Sequence, residues 1–183
     1  LSTLASMSDL ALLLDRQGKH AEAEQVYRVV LSLQEKVLGK EHPDTLASMS
    51  DIAWSLRAQG KHAEAEQLYR AVLSLQEKVL GEEHPDTLTS MSDLAWLLGA
   101  QGKYAEAEQW YRAVLSLQEK VLGEEHPDTL LSMTDIASSL SAQGKPAEAE
   151  QLYREVLSLQ ERALGKDHRD TRRTAELLEQ LFP

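Results

Sequence analysis

Apolar residues recur along this chain at spacings of three and four, and the whole pattern then returns every 42 residues. The stretch 45–86, TLASMSDIAWSLRAQGKHAEAEQLYRAVLSLQEKVLGEEHPD, has edited copies at 3–44, 87–128 and 129–170. The spacing predicts two amphipathic helices in each copy. In the second copy, the first helix runs from about Pro43 to Gln59, with Leu46, Met49, Ala53 and Leu56 in one stripe that Ile52 widens. Pro43 suits a first helical position; Asp44 either complements the helix dipole or is itself the N-cap. Gly60 ends this helix. The second helix runs from about His62 to Leu80 and turns Ala65, Leu68, Tyr69, Val72, Leu75 and Val79 inward, before Gly81 stops it. Glu66 and Arg70 stand four apart in the favourable order, as do Glu24–Arg28, Glu108–Arg112 and Glu150–Arg154.

Two amphipathic helices cannot bury their apolar faces alone, so the copies are expected to stack as an all-α solenoid, each touching only its neighbours. The expected organisation is a single domain over 1–183, with repeats at 3–44, 45–86, 87–128 and 129–170. The last repeat is edited at its end, where Arg169 replaces Pro and Thr171-Arg172-Arg173 follows. The tail Thr171–Phe182 reads as one capping helix (171–183), with Leu177, Leu178 and Leu181 inward and Arg172, Arg173, Glu176 and Glu179 outward. The chain opens at Leu1 without an initiator Met, which suggests a fragment of a longer array. Its flank of Leu4, Met7 and Leu14 would then invite end-to-end self-association.

Ala53, the Gln59-Gly60-Lys61 turn, Glu64-Ala65, Tyr69, Val72 and Leu75 resemble the small, turn and large positions of a tetratricopeptide repeat. The longer copy, with its Leu-Gly-x-Glu-His-Pro-Asp-Thr link, is similar to the 42-residue variant of kinesin light chains. Near-identical tandem copies that look like this also form C-terminal arrays of NLR-like receptors in fungi and of some bacterial proteins. The resemblance covers Thr3 to Asp170. It implies a right-handed α-solenoid of helix-turn-helix repeats whose first helices line a concave groove for a protein or peptide. It also implies a role as the ligand-sensing array of an NLR-like receptor. The alternatives are a cargo or assembly adaptor of the kinesin-light-chain type and a structural or engineered scaffold. Those families often carry an Asn pair, which helps hold cargo peptides in kinesin light chains. This chain has Ser8-Asp9, Ser50-Asp51, Ser92-Asp93 and Thr134-Asp135 there.

A net charge of −11 makes the chain a poor partner for nucleic acid or anionic lipid. The longest apolar runs, 10–14 and 94–98, are far shorter than a membrane span, so no membrane association is expected. Cysteine is absent, which removes disulfide and thiol chemistry and fits a cytoplasmic location. The Glu-His pairs at 41–42, 83–84 and 125–126, with Asp167-His168, place one imidazole per repeat, too far apart to share a metal. They are expected to hydrogen-bond near helix starts instead. No phosphate-cradling loop or nucleophile motif is present, so neither a cofactor, a metal nor enzyme activity is expected.

The copies themselves point to a surface. Repeats 2 and 3 differ at six positions, four of them on the first helix. Across all four copies the radical first-helix changes fall in five columns: Ala5/Ala47/Thr89/Leu131, Leu12/Trp54/Trp96/Ser138, Leu13/Ser55/Leu97/Ser139, Asp15/Arg57/Gly99/Ser141 and Arg16/Ala58/Ala100/Ala142. Positions 47, 54, 57 and 58 share one stripe, apart from the apolar one, and Ser50 and Asp51 join it. Such variation reads as a diversified binding surface or as drift at exposed columns. The constancy of Ser32-Leu33-Gln34-Glu35 on the exposed side of every second helix favours binding. The candidate binding residues are Asp9, Leu12, Arg16, Ser50, Asp51, Trp54, Arg57, Thr89, Asp93, Trp96, Leu131 and Asp135. Trp54 and Trp96 read as exposed anchors, or as filler against a neighbouring helix. The four aspartates would form a ladder suited to a basic or amine-bearing ligand, or else a solvated or internally bonded row; Asp51 is expected to face solvent. Arg16 and Arg57 interrupt the acid. Trp110 is expected in the core.

Overall fold

The computed structural model describes residues 2–181. Among them are nine helices: α1 Ser2–Arg16, α2 His20–Val37, α3 Pro43–Ala58, α4 His62–Val79, α5 Pro85–Ala100, α6 Tyr104–Leu122, α7 Pro127–Ala142, α8 Pro146–Ala163 and α9 Arg169–Glu179. Leu1 and the expected cap-helix residues Phe182 and Pro183 lie outside the described residues.

The punctuation is local. The N-cap of α3 is His42, not Asp44: the imidazole Nδ1 accepts from the Asp44 backbone N–H at 3.1 Å, and His84, His126 and His168 do the same for their own helices. An imidazole acceptor thus satisfies one of the orphan donors of the first turn. Gly60 ends the first helix at φ +77, a conformation that costs other residues a Cβ clash, and Lys61 N–H reaches back to Leu56 O at 2.9 Å. In each link a buried threonine hydroxyl donates to the preceding glycine carbonyl, as from Thr45 to Gly39 at 2.8 Å.

Two compact units form, Leu1–Leu97 and Leu98–Pro183, divided inside α5. In the first, α2 packs on α1 and α3, and α3 on α4. Its core joins Leu46, Ile52, Ala53 and Leu56 to Tyr27 and Val30 of α2 and to Ala65, Tyr69, Val72 and Leu73 of α4. Full burial of such side chains stabilises by about 1.5–3 kcal/mol each. In the second, α6 and α8 pack on α7, and α9 closes on α8, with Leu130, Met133 and Val156 central. The α9 leucines are only half-buried; Thr171 and Thr174 are the residues it buries.

Three assignments change with packing. Val79, at the end of α4, is exposed, and Leu73 is buried. Trp110 is half-buried, not core. The Gln of the constant Ser-Leu-Gln-Glu segment is buried in every repeat, at 34, 76, 118 and 160, so packing accounts for its constancy. In the second unit the Ser132 hydroxyl donates to Gln118 Oε1 at 2.7 Å.

Neighbouring repeats are clasped by constant polar residues. Glu24 of α2 accepts from Gln59 Nε2 at 2.8 Å and from Lys61 Nζ at 3.2 Å, while Arg28 holds its other oxygen at 2.8 Å. Glu108 binds Gln143 and Arg112 in the same way in the second unit. The Gln-Gly-Lys turn is therefore a joint as well as a turn. Where no helix covers the first helix, apolar residues stay exposed: Leu10 is 50% accessible, against 1% for its equivalent Ile52, which α2 covers. Leu4, Met7 and Leu14 are half-buried.

Candidate functional site

In the first unit, the divergent columns of α3 and α5 meet. Arg57 leaves the end of α3 and donates from Nη1 to Asp93 Oδ1 at 2.8 Å. Its guanidinium lies 4.6 Å from the Trp96 ring centroid and 5.8 Å from that of Trp54. Both distances allow the cation to be attracted by the negative face of an indole. Trp96 is 50% exposed and Trp54 half-buried. One indole therefore fits the anchor reading, and the other is partly filler. The ring of Trp54 meets the His20 imidazole nearly edge-on, centroids 5.5 Å apart. His20 Nδ1 lies 3.0 Å from Asp15 Oδ1, and the Ser55 hydroxyl donates to Asp15 Oδ2 at 2.9 Å. A continuous row of contacts thus runs from Ser55 through Asp15, His20, Trp54 and Arg57 to Asp93 and Trp96.

The aspartate row is not a solvated ladder. Asp51 is half-buried rather than solvent-facing, because α2 packs on α3; burial first, then the neighbouring Asp15 carboxylate, push its carboxyl up to about 6. Among the described residues, its side chain has no hydrogen-bond or ion-pair partner. Burial also raises Asp93, but Arg57 pulls against it. Asp135 of α7, in the second unit, is raised by burial to about 6 against the pull of Arg173 on α9. Only Asp9, on α1, is exposed.

The remaining candidates are more scattered. Leu12 and Arg16 are exposed on α1, and Thr89 on α5 donates to its own helix at Pro85 O. Ser50 donates to Leu46 O and lies 3.4 Å from Ser90 Oγ. Leu131 is exposed on α7. The column Leu13/Ser55/Leu97/Ser139 is interior from Ser55 onward, so its variation reflects packing and not an exposed surface. Sequence reasoning missed Asp15 and His20 as members of this row. The opposite charges of Asp15 and Arg57 in one column were the available signal.

A family model for the tetratricopeptide repeat matches residues 2–78, 55–120 and 97–162, nearly the whole chain. The chain belongs to the tetratricopeptide repeat family. Among solved structures it is similar to the nearly identical TPR-like repeats of a Podospora anserina protein assigned as a kinesin light chain, at 33% identity and a TM-score of 0.86 over 98% of this chain and 85% of that one. The Q17M variant of the same repeats matches equally, with a TM-score of 0.87 and 33% identity over the same shares. BtubC (BKLC) from P. vanneervenii shares the fold at 20% identity, with a TM-score of 0.85 over 98% of this chain and 72% of that one. A comparison with curated proteins finds no match.

Proposed function

We propose that this chain is a non-catalytic recognition module that binds a protein or peptide on the first-helix face of its first unit. One observation carries the reading: two half-exposed indoles and a guanidinium converge where the copies diverge, on a scaffold whose other residues scarcely vary. Aromatic and arginine side chains of this kind supply most of the free energy in protein interfaces. Within a longer protein, the near-identity of the copies fits the sensing array of an NLR-like receptor, whose nucleotide-binding domain would respond to the bound ligand. A second reading, a cargo adaptor, is favoured by the likeness to the Podospora repeats assigned as a kinesin light chain.

The test is a peptide-display selection against the chain, followed by titration of the recovered peptides. Replacing Trp54 and Trp96 together by Ala is expected to weaken binding by roughly thirtyfold or more with helicity intact. Equal binding by the parent and the double variant would remove this face from consideration.

A further inference from the structure

The two Asp–Trp pairs of the first unit are the same pair, one repeat apart, with different neighbours. On α5, Asp93 and Trp96 are three residues apart on one helical face and hold a guanidinium between them, that of Arg57. On α3, Asp51 and Trp54 repeat the spacing and the face. The residue equivalent to Arg57 is there Asp15, a second carboxylate, itself buried and bonded to His20 and Ser55. Where Arg57 stands against Trp96, His20 stands against Trp54, but the imidazole ends at Asp15 and leaves Asp51 unengaged. Beside both carboxylates is Tyr27, 2% exposed. The first seat therefore has the indole and the carboxylate, with an excess of negative charge; Arg57 approaches this indole at 5.8 Å but gives its hydrogen bond to Asp93. The third equivalent, Asp135, has Ser138 in place of the indole.

We propose that Asp51 and Trp54 seat an arginine side chain of the partner, in the manner that Asp93 and Trp96 seat Arg57. Arginine fits better than lysine because its planar guanidinium can stack on the indole while its edge meets the carboxylate, the arrangement that Arg57 adopts. Asp15 contributes to selection: a cation is drawn to the paired carboxylates, whereas an acidic side chain is repelled. The inference rests on the recognition reading above and names the chemistry of one residue of the ligand.

The probe is N-acetyl-arginine-methylamide, titrated into the whole chain while the indole N–H resonance of Trp54 is followed by NMR, with the citrulline analogue as the neutral control. The Trp54 resonance is expected to shift with the arginine probe and not with citrulline. Asp51→Asn should weaken the arginine response roughly tenfold, since a charge-assisted bond is lost. Asp15→Arg should abolish it by filling the seat from within. Should Asp15→Arg fail to fold, Asp51→Asn still decides the matter. An unmoved Trp54 resonance, an equal response to citrulline, or an undiminished response in Asp51→Asn would each overturn the proposal. Selected peptides that still need both tryptophans would in that event leave the recognition reading standing; peptides indifferent to the tryptophans would remove that reading whatever the probe does.

Discussion

Asp93 and Asp51 occupy one column of the repeat, are buried to a similar degree and stand next to equivalent indoles, yet their electrostatic situations are opposed. Arg57 neutralises Asp93 from the preceding repeat; Asp15, in the place of Arg57, adds a second negative charge beside Asp51. A single column on the preceding helix thus decides whether the carboxylate has a cation or a second carboxylate beside it. Because each repeat contacts its neighbours alone, such a change alters one seat without disturbing the stack. Divergence among near-identical copies can therefore set binding chemistry one step at a time.

The strongest way to break the contrast is Arg57→Asp, which gives the second seat the charge pattern of the first. It leaves Asp93 partly buried opposite a like charge, and a loss of about 2–3 kcal/mol is expected, below the cost for a fully buried pair because both side chains reach solvent. Urea denaturation would measure it. A loss below about 0.5 kcal/mol would show that Arg57 does not neutralise Asp93.

Asp51→Asn acts in the opposite direction and depends on pH. The carboxyl sits at about 6 in the fold, against about 3.9 unfolded, so the folded state favours the protonated form. Its contribution to stability is present below about pH 4 and lost as pH rises through about 6. The amide mimics the protonated group, and the variant is expected to be more stable than the parent by about 1 kcal/mol at pH 7, a value reduced for partial solvent screening. At pH 4 the two should melt together. A variant less stable than the parent at pH 7 would mean that Asp51 is compensated in the fold after all.

Ser138→Ala probes the third seat, where a hydroxyl replaces the indole. Ser138 Oγ lies 2.8 Å from the buried Tyr153 hydroxyl, and losing that bond should cost about 1 kcal/mol. The smallest effect is expected from Glu64→Lys, on an exposed first turn of α4: stability within about 0.5 kcal/mol of the parent and peptide affinity nearly unchanged. A large loss of affinity there would move attention to the second helices.

The copied period, the alternation of two helices, the glycine stops and the Glu–Arg pairs were all legible in the chain itself. The period is read by laying one copy on the next; the other features depend on residues no more than a few positions apart, and helical periodicity records such relations directly. Of the candidate residues picked out in the chain, Trp54, Arg57, Asp93 and Trp96 lie together in the fold. What the chain alone left open was the sign of each environment. Whether Asp51 meets water or protein, and whether Asp15 belongs to the surface or to a bonded pair with Ser55, are settled by neighbours about one repeat away, and whether the Gln column is displayed or packed by contacts such as that of Gln118 with Ser132 in the next repeat. Those contacts exist only once one repeat stacks on the next. Burial, and with it the strength of every charge in the seats, is a property of the stack, because water screens a carboxylate on an isolated helix and the neighbouring helix removes that water.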